Sequence, residues 1–226
     1  MIKDERMKLI YGKVREGVTV CDVGTDHAII PIELLLSGKA ERCVLTDISA
    51  PSLEKGVKNA GNAGVGGKIS AYCANGTLGV PLDGQMDFII AGMGGELISQ
   101  ILDQDERLRN PGYGFVLQPM SKAEELRRYL AENGFLVKNE TKVESGGRVY
   151  AVICCSYDGA VRTISEKELF LGYGFDAKRS LDRIYAEKVL ASFRVRLKGL
   201  ESAETRDESE INLLINQIKM IESLLK

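Results

Sequence analysis

Between residues 18 and 157, short apolar stretches of strand length alternate with longer stretches whose apolar residues have helical spacing. This alternation predicts parallel strands, because a helix between two strands returns the chain to the end of the sheet where it began. Strands are predicted at residues 18–21, 42–46, 68–73, 87–91 and 114–117. Helices are predicted at residues 29–36, 51–60, 96–102 and 122–133. The pattern therefore predicts an α/β fold that begins with five βα units.

The pattern changes after residue 134. Two strand-like stretches, residues 135–143 and 148–156, are joined by Glu144-Ser145-Gly146-Gly147, which leaves no room for a helix. Two strands joined by so short a turn form a hairpin and run antiparallel. We therefore expect a seven-stranded, mostly parallel sheet with one reversed strand.

From about residue 160 the strand pattern gives way to two predicted amphipathic helices. Apolar residues recur every three or four positions from Leu181 to Leu200, and again from Ile211 to Leu225. The connection, residues 201–209, is polar, so the two helices are expected to pack as an antiparallel, coiled-coil-like hairpin. The predicted domains are residues 1–158 and residues 159–226.

Composition excludes several functional classes. The single histidine, His27, rules out a metal site built on two or three histidines of one chain, and any Ser-His or Cys-His chemistry would have to use it. The five cysteines contain no C-x-x-C motif and are expected to be free thiols. No apolar run has transmembrane length, and the first six residues lack a secretion signal. We expect a cytoplasmic protein with no metal and no membrane contact.

The loop after the first strand, Asp22-Val23-Gly24-Thr25-Asp26-His27-Ala28, is the first candidate for ligand binding. A glycine directly after a strand allows a sharp turn and a close approach to a ligand. The loop is not G-x-G-x-x-G, and an acidic residue there would repel a phosphate. It therefore favours a nucleoside that carries a cation over a dinucleotide. A plain strand-to-helix turn is the competing interpretation.

Polar residues also follow the second and third strands. Asp47 ends the second strand, where a carboxylate can accept both ribose hydroxyls of a nucleoside. The competing interpretation is an N-cap for the helix that begins near Pro51. Asn75 follows the third strand, where its amide can bond an adenine edge, although an Asn-Gly turn is the better explanation when this residue is viewed alone.

The fourth strand continues into Ala91-Gly92-Met93-Gly94-Gly95-Glu96. One glycine suits a tight turn, but three within four residues indicate a backbone that approaches a ligand, so we predict a substrate-facing loop. The fifth strand ends in Gln118-Pro119, and the Gln118 amide offers a donor and an acceptor at the same edge of the sheet.

Three strings in this chain resemble those of the TrmK family: Asp22-Val-Gly-Thr-Asp-His-Ala, Ile90-Ala-Gly-Met-Gly-Gly95 and Leu117-Gln-Pro119. The family comprises bacterial S-adenosylmethionine-dependent methyltransferases that act on N1 of an adenosine in the tRNA D-arm, nucleotide 22. The resemblance covers essentially the whole chain. It implies a class I, Rossmann-like, seven-stranded methyltransferase sheet followed by a helical hairpin. Ala74-Asn75-Gly76 departs from the Gly-Asp-Gly that is usual in the family.

The resemblance also implies roles for individual residues. S-adenosyl-L-methionine is expected to be bound by Asp22, Gly24, Thr25, Asp47, Ile48, Asn75, Gly76, Ala91 and Gly92. Asp22 is expected to orient the first loop by accepting backbone N–H bonds. The target base must leave its stack to react, and its pocket is predicted to consist of Met93, Gly94, Gly95, Gln118 and Pro119.

Asp26 and His27 are the predicted catalytic residues. N1 of adenine carries a free lone pair at neutral pH and needs no general base, while the methylated ring becomes cationic. Catalysis then depends on positioning and on stabilisation of positive charge, which suits Asp26. His27 either contacts the target base or merely stabilises the turn.

A local excess of positive charge lies in residues 178–198, where seven Lys or Arg residues accompany two acidic ones in a chain of net charge −2. The predicted tRNA contacts are Lys178, Arg179, Arg183, Arg194 and Arg196. A solvated helix face is the competing interpretation. The predicted partner is tRNA, and a monomer is favoured.

Two alternatives remain at this point. One is a class I methyltransferase that acts on another RNA or on a small molecule, which would share the cofactor residues and differ in the substrate loops. The other is a noncatalytic RNA-binding module with a vestigial cofactor site, an interpretation suggested by Asn75.

Overall fold

A computed structural model describes residues 2–203 and 205–226. Residue 1 of the first predicted domain and residue 204 of the second lie outside the described residues. The strands are β1 (Val18–Val23), β2 (Ala40–Asp47), β3 (Ile69–Cys73), β4 (Met86–Gly94), β5 (Gly114–Ser121), β6 (Phe135–Ser145) and β7 (Arg148–Tyr157). The helices are α1 (Glu5–Lys13), α2 (Ile29–Leu36), α3 (Ala50–Asn62), α4 (Gly95–Asp103), α5 (Ala123–Glu132), α6 (Glu166–Leu171), α7 (Ser180–Glu201) and α8 (Glu208–Leu224).

The seven strands form one sheet in the order β3-β2-β1-β4-β5-β7-β6, which confirms the predicted mixed sheet. β1 pairs in parallel with both β2 and β4, whereas β7 is antiparallel to both β5 and β6. The direction of winding reverses between β1 and β4. In open α/β sheets, ligands bind beyond the carboxyl ends of the strands at such a reversal. The topology therefore locates a candidate site at the ends of β1 and β4.

Two predictions from the sequence pattern are corrected here. Only four of the five expected βα units form, because β3 joins β4 through residues 74–85 without a helix. That connection contains Gly76, Gly79, Pro81 and Gly84, which favour turns over a continuous helix. In addition, helices α1 and α6 form where no helix had been predicted. Asp4 caps α1 by accepting the backbone N–H groups of the first turn, and Ser165 caps α6 in the same way.

The central strands are buried on both faces of the sheet. Phe88 and Ile90 of β4 point into one apolar cluster, whereas Ile89 points into the cluster on the other face. Aromatic rings in the first cluster contact one another: Phe88 and Phe115 stack with 5.3 Å between their centroids, and Phe115 meets Phe135 edge to face. The second cluster includes α1, which thus covers the sheet next to the carboxyl end of β1. This packing fixes the strand ends from which the candidate site projects.

The two C-terminal helices pack antiparallel, as predicted, and a group of buried charges joins them to the sheet. Arg127 of α5 is fully buried, and its Nη2 lies 2.8 Å from Glu140 Oε1 on β6. The same guanidinium donates to the carbonyl of Leu169 at 2.8 Å and to the hydroxyl of Tyr185 at 3.1 Å. Lys142 also pairs with Glu140. Burial alone would raise the pKa of Glu140, but Arg127 and Lys142 hold that pKa below its usual value. The Glu140 carboxylate therefore stays ionised, and its contacts help to attach the C-terminal helices to the sheet.

Candidate active site

A cavity of about 220 Å³ opens where the sheet topology predicts a site. Its walls come from α1, from the loop after β1 and from the end of β4. They consist of Arg6, Met7, Ile10, Asp22, Gly24, Thr25, Asp26, His27, Ala28, Ile29, Ile30, Ala91 and Gly92. The structure thus brings together the predicted residues of two separate loops. It adds α1, which the sequence pattern did not associate with the site.

The loop after β1 is held against β2 by its own backbone. The N–H groups of Gly24 and Thr25 both donate to the carbonyl of Thr46, at 2.7 and 3.2 Å. Gly24 has a φ of +78°, and a Cβ built on it would lie 2.0 Å from the Cε of Met93. Only glycine fits this conformation without displacing Met93. The predicted cofactor loop and the predicted substrate loop are therefore in direct contact.

Asp22 is a half-buried carboxyl that lines the cavity. Burial raises its pKa to about 6, the negative charge of Asp47 adds to this effect, and a hydrogen bond from the Thr25 side chain opposes it. The partner is thus the Thr25 hydroxyl, whereas backbone N–H groups were expected. A cationic ligand next to Asp22 would favour its ionised form. The site is therefore suited electrostatically to a ligand that carries positive charge.

Asp26 and His27 lie at the mouth of the cavity and are largely exposed. The Nε2 of His27 is 3.1 Å from one carboxylate oxygen of Asp26, and the Nζ of Lys55 is 3.6 Å from the other. Asn59 donates to the backbone carbonyl of His27 at 3.1 Å, so α3 helps to fix the loop. The geometry leaves both predicted catalytic side chains accessible to a substrate that approaches from solvent.

The end of β2 presents a carboxylate beside an exposed apolar side chain. Asp47 Oδ1 accepts the backbone N–H of Ser49 at 2.7 Å, and Ser49, not Asp47, caps α3. The competing N-cap interpretation of Asp47 is therefore wrong. Ile48 is 76% exposed at this edge, so its apolar side chain is available for a flat ligand ring. Asn75 and Gly76 are on the adjacent loop after β3, where Gly76 has a φ of +63°.

Gln118 and Gly95 are predicted to contact the substrate, but the structure buries both residues. The Gln118 side chain is fully buried, and its Oε1 accepts the backbone N–H of Gly92 at 3.2 Å. It therefore positions the glycine loop from beneath. Gly95 is also buried, and a Cβ there would lie 2.0 Å from the carbonyl oxygen of Lys122. Pro119 is buried beside Met93, while Met93 and Gly94 remain partly accessible.

Arg6 is a site residue that the sequence analysis missed. It donates from Nη1 to Gln118 Oε1 at 3.1 Å, and its guanidinium carbon lies 5.6 Å from the centroid of the Tyr150 ring. Its Nε is buried on the cavity wall and has no hydrogen-bond partner. A buried donor without an acceptor is unfavourable, so a ligand atom that accepts this bond would be favoured. Arg6 lies in a mixed polar helix, and its local sequence gives no signal of this role.

Most of the predicted tRNA-binding cations on and near α7 are exposed but engaged by neighbours. Arg194 pairs with Glu222 at 2.6 Å, and Arg196 pairs with Glu210, so acidic residues of α8 neutralise part of the excess charge. Arg179 pairs with Asp182 at 2.7 Å and also donates to the carbonyl of Gly174. Arg183 donates to the carbonyl of Leu225 at 2.7 Å and lies 3.9 Å from Glu187. Lys178 has no ion pair among the residues that the structure describes. Available positive charge is therefore lower than the sequence count suggests.

Two kinds of feature are absent from the described residues 2–203 and 205–226. No group of three or more His, Cys, Asp or Glu side chains there is arranged to hold a metal ion. No helix in the same ranges has the length and apolarity needed to cross a membrane.

Comparison with known proteins identifies similar chains. Residues 3–153 match a family model described as a methyltransferase domain. The tRNA (adenine(22)-N(1))-methyltransferase of Bacillus subtilis is 28% identical over 163 residues, which are 69% of this chain and 68% of that protein. A Mycoplasma pneumoniae protein named "Putative tRNA methyltransferase" is 31% identical over 87% of this chain and 90% of its own. A Streptococcus pneumoniae structure in complex with S-adenosyl-L-methionine is 26% identical, with a TM-score of 0.82 over 98% of each chain.

Proposed function

This chain belongs to the TrmK family of methyltransferases, and from that premise we propose that it methylates N1 of adenosine 22 in the tRNA D-arm. The observation that carries this proposal is the shared cavity at the carboxyl ends of β1 and β4. There the half-buried carboxyl of Asp22, the exposed carboxylate of Asp26 and a glycine loop meet. A site of this kind binds a cationic methyl donor and leaves an opening for a large substrate.

The residues present fit S-adenosyl-L-methionine, which supplies an electrophilic methyl group when it is bound. Asp47 is suited to the ribose hydroxyls, and the exposed Ile48 side chain is suited to the adenine ring. Asp22 offers negative charge to a cationic centre. The unsatisfied Nε of Arg6 offers a donor to a carboxylate. Gly24, Thr25, Asn75, Gly76, Ala91 and Gly92 complete the proposed set.

The chemistry proposed for this chain's own residues is positioning and charge stabilisation. The adenine N1 lone pair attacks directly, so no side chain has to remove a proton first. Asp26 stabilises the positive charge that develops on the ring, because its carboxylate is exposed at the cavity mouth. His27 holds Asp26 in place through the 3.1 Å contact of its Nε2. Met93, Gly94 and Pro119 form the pocket for the extruded base, while Gln118 and Gly95 position that pocket.

The proposal extends to the whole chain. Residues 1–158 carry methyl transfer, and residues 159–226 contact tRNA through α7. The protein acts in the cytoplasm as a monomer and without a metal ion. The fixed attachment of the helices through Arg127 and Glu140 supports a rigid relation between the two functions.

The test is incubation of the protein with labelled S-adenosylmethionine and unmodified tRNA, followed by nucleoside analysis. We expect 1-methyladenosine at nucleotide 22, and Asp26→Ala should lower its rate of formation by about 100-fold with tRNA affinity intact. Asp83→Ala removes an exposed carboxylate from the loop before β4 and serves as the matched control. Methylation by Asp26→Ala at the parent rate would exclude the proposed role of Asp26.

The same experiment separates the alternatives. Label on a different nucleotide, or on a small molecule only, would indicate another class I methyltransferase. Absence of both S-adenosylmethionine binding and methyl transfer, with tRNA binding retained, would indicate a noncatalytic RNA-binding module.

A further inference from the structure

A second cleft, of about 440 Å³, lies next to the candidate active site. It runs between the junction of β5 with α5, the first residues of β7 and the exposed side of α7, and we call it the interdomain cleft. Its lining includes Tyr150, Phe170, Phe193, Lys122 and Lys188. None of these residues belongs to the site described above, and the family resemblance assigned none of them a role.

Aromatic side chains form the apolar part of the interdomain cleft. Tyr150, Phe170 and Phe193 are each partly exposed. Phe170 and Phe193 meet edge to face, with 4.9 Å between ring centroids and an interplanar angle of 87°. Exposed aromatic rings bind unpaired bases by stacking, and every base offers a π-face. The cleft thus provides surfaces that suit nucleobases.

Two lysines supply positive charge at the rim. Neither Lys122 nor Lys188 has an ion-pair partner among the described residues, unlike Arg196, which also lines the cleft but pairs with Glu210. Glu124 is the acidic residue in the lining. Lys122 adopts a left-handed backbone conformation with a φ of +55°, which is strained for a residue that carries a side chain. A strained residue persists where the surrounding structure or a function retains it.

The interdomain cleft is adjacent to the active-site cavity. Pro119 and Met120 line the cleft, and Arg6, which lines the cavity, donates to the sulfur of Met120 at 3.1 Å. The guanidinium of Arg6 also faces the ring of Tyr150 on the cleft side. A wall one side chain thick thus separates the interdomain cleft from the active-site cavity. A nucleic-acid strand with one base in the cavity would have its neighbouring nucleotides at the cleft.

We propose that the interdomain cleft binds the unpaired nucleotides that flank the target adenosine, with bases on the aromatic rings and phosphates at Lys122 and Lys188. This inference rests on the proposed function, because it requires an RNA substrate whose target base enters the cavity. It assigns strand binding to the cleft, in addition to the tRNA contacts predicted from the charge of residues 178–198, a stretch that includes Lys188 of α7. Base extrusion would then be assisted by capture of the flanking nucleotides outside the stack.

The first test compares two charge reversals on the same helix. Lys188 lines the cleft, whereas Lys198 is also exposed but lies outside the cleft and has no ion pair among the described residues, so Lys198→Glu is the control. We expect Lys188→Glu to weaken tRNA affinity by about fivefold or more at 0.1 M salt, and to lower the slope of log affinity against log salt by about 0.7. Lys198→Glu should change both by much less. Affinity for S-adenosylmethionine should be unchanged in both variants.

The second test uses Lys122→Gly, which removes a cation and also relieves the left-handed conformation. We expect a higher Tm together with weaker tRNA binding, a combination that misfolding cannot produce. A tRNA with 2-aminopurine next to nucleotide 22 should lose fluorescence when it binds the parent protein, and should lose less with Lys122→Gly or Lys188→Glu.

The outcomes distinguish the two proposals. Equal effects of Lys188→Glu and Lys198→Glu, in a protein that methylates tRNA normally, would overturn the cleft assignment and leave the proposed function intact. No methylation by the parent protein would instead remove the premise on which the cleft assignment rests.

Discussion

Replacement of Asp22 by asparagine should stabilise the cofactor-free protein at neutral pH. In the fold, burial and, to a smaller extent, the charge of Asp47 raise the pKa of the Asp22 carboxyl from 3.8 to about 6. The pKa of Asp22 is higher in the folded chain than in the unfolded chain, so protonation of this carboxyl favours folding. Its contribution to stability is fully present below about pH 4 and is lost as the pH rises through about 6. The ionised carboxylate therefore opposes folding at pH 7.

The magnitude follows from the two pKa values. Each pKa unit between the folded and unfolded chains corresponds to about 1.4 kcal/mol. The carboxylate thus destabilises the fold by about 3 kcal/mol at pH 7, and by about half as much at pH 5, where most of it is protonated in the folded chain. Asparagine is neutral at both pH values, and its amide oxygen can still accept the hydrogen bond from Thr25. We therefore expect Asp22→Asn to gain more stability at pH 7 than at pH 5.

Urea unfolding followed by circular dichroism at pH 5 and at pH 7 measures both differences. Asp83→Asn controls for the loss of one negative charge at an exposed position. The same variants should be titrated with S-adenosylmethionine, for which Asp22→Asn should have lower affinity because it no longer offers a negative charge. A variant that is no more stable than the parent at pH 7, or whose gain is the same at both pH values, would refute the electrostatic account of Asp22.

Three further predictions concern the loop, the attachment of the helices and the basic residues. Gly24→Ala should lower the free energy of unfolding by about 1–3 kcal/mol, measured by urea titration, because the new methyl group meets Met93 at a positive φ; an unchanged midpoint would show that the loop relaxes freely. Arg127→Met should cost about 3–5 kcal/mol in the same assay, because it leaves a buried carboxylate short of partners; a loss below about 1 kcal/mol would contradict this. Joint reversal of Arg194 and Arg196 to glutamate should weaken tRNA binding and its salt dependence with cofactor affinity unchanged; unchanged tRNA affinity would count against these contacts.

The sequence predicted the sheet well because strand and helix periodicities are local. The β6–β7 hairpin followed from the turn residues Gly146 and Gly147, and the reversed strand was confirmed. Helix α2 begins and ends where its apolar spacing indicated. The prediction was wrong between β3 and β4. The regular alternation suggested five βα units, which would require a helix there. Helices α1 and α6 were missed because their patterns are short, and each is stabilised by packing that the local sequence does not contain.

The candidate site was predictable where it depends on strand ends. Parallel strands bring their carboxyl ends to one edge, so Asp22, Asp26 and Asp47 could be grouped without coordinates. The direction of each side chain could not be inferred in this way. Gln118 was predicted at the correct edge, but the structure buries its amide under Gly92.

The sequence by itself determined the fold class, the family and the edge of the sheet that carries the candidate site, because strand periodicity, turn residues and short loop motifs are properties of adjacent residues. Only the tertiary structure decided which distant groups meet. Arg6 and Gln118 are 112 positions apart, and their 3.1 Å contact exists only because α1 packs across the sheet. The same holds for the pKa of Asp22, the pairing of Arg194 and Arg196 with α8, and the interdomain cleft. Burial and electrostatic partners depend on distances in space, and a one-dimensional pattern does not specify those distances.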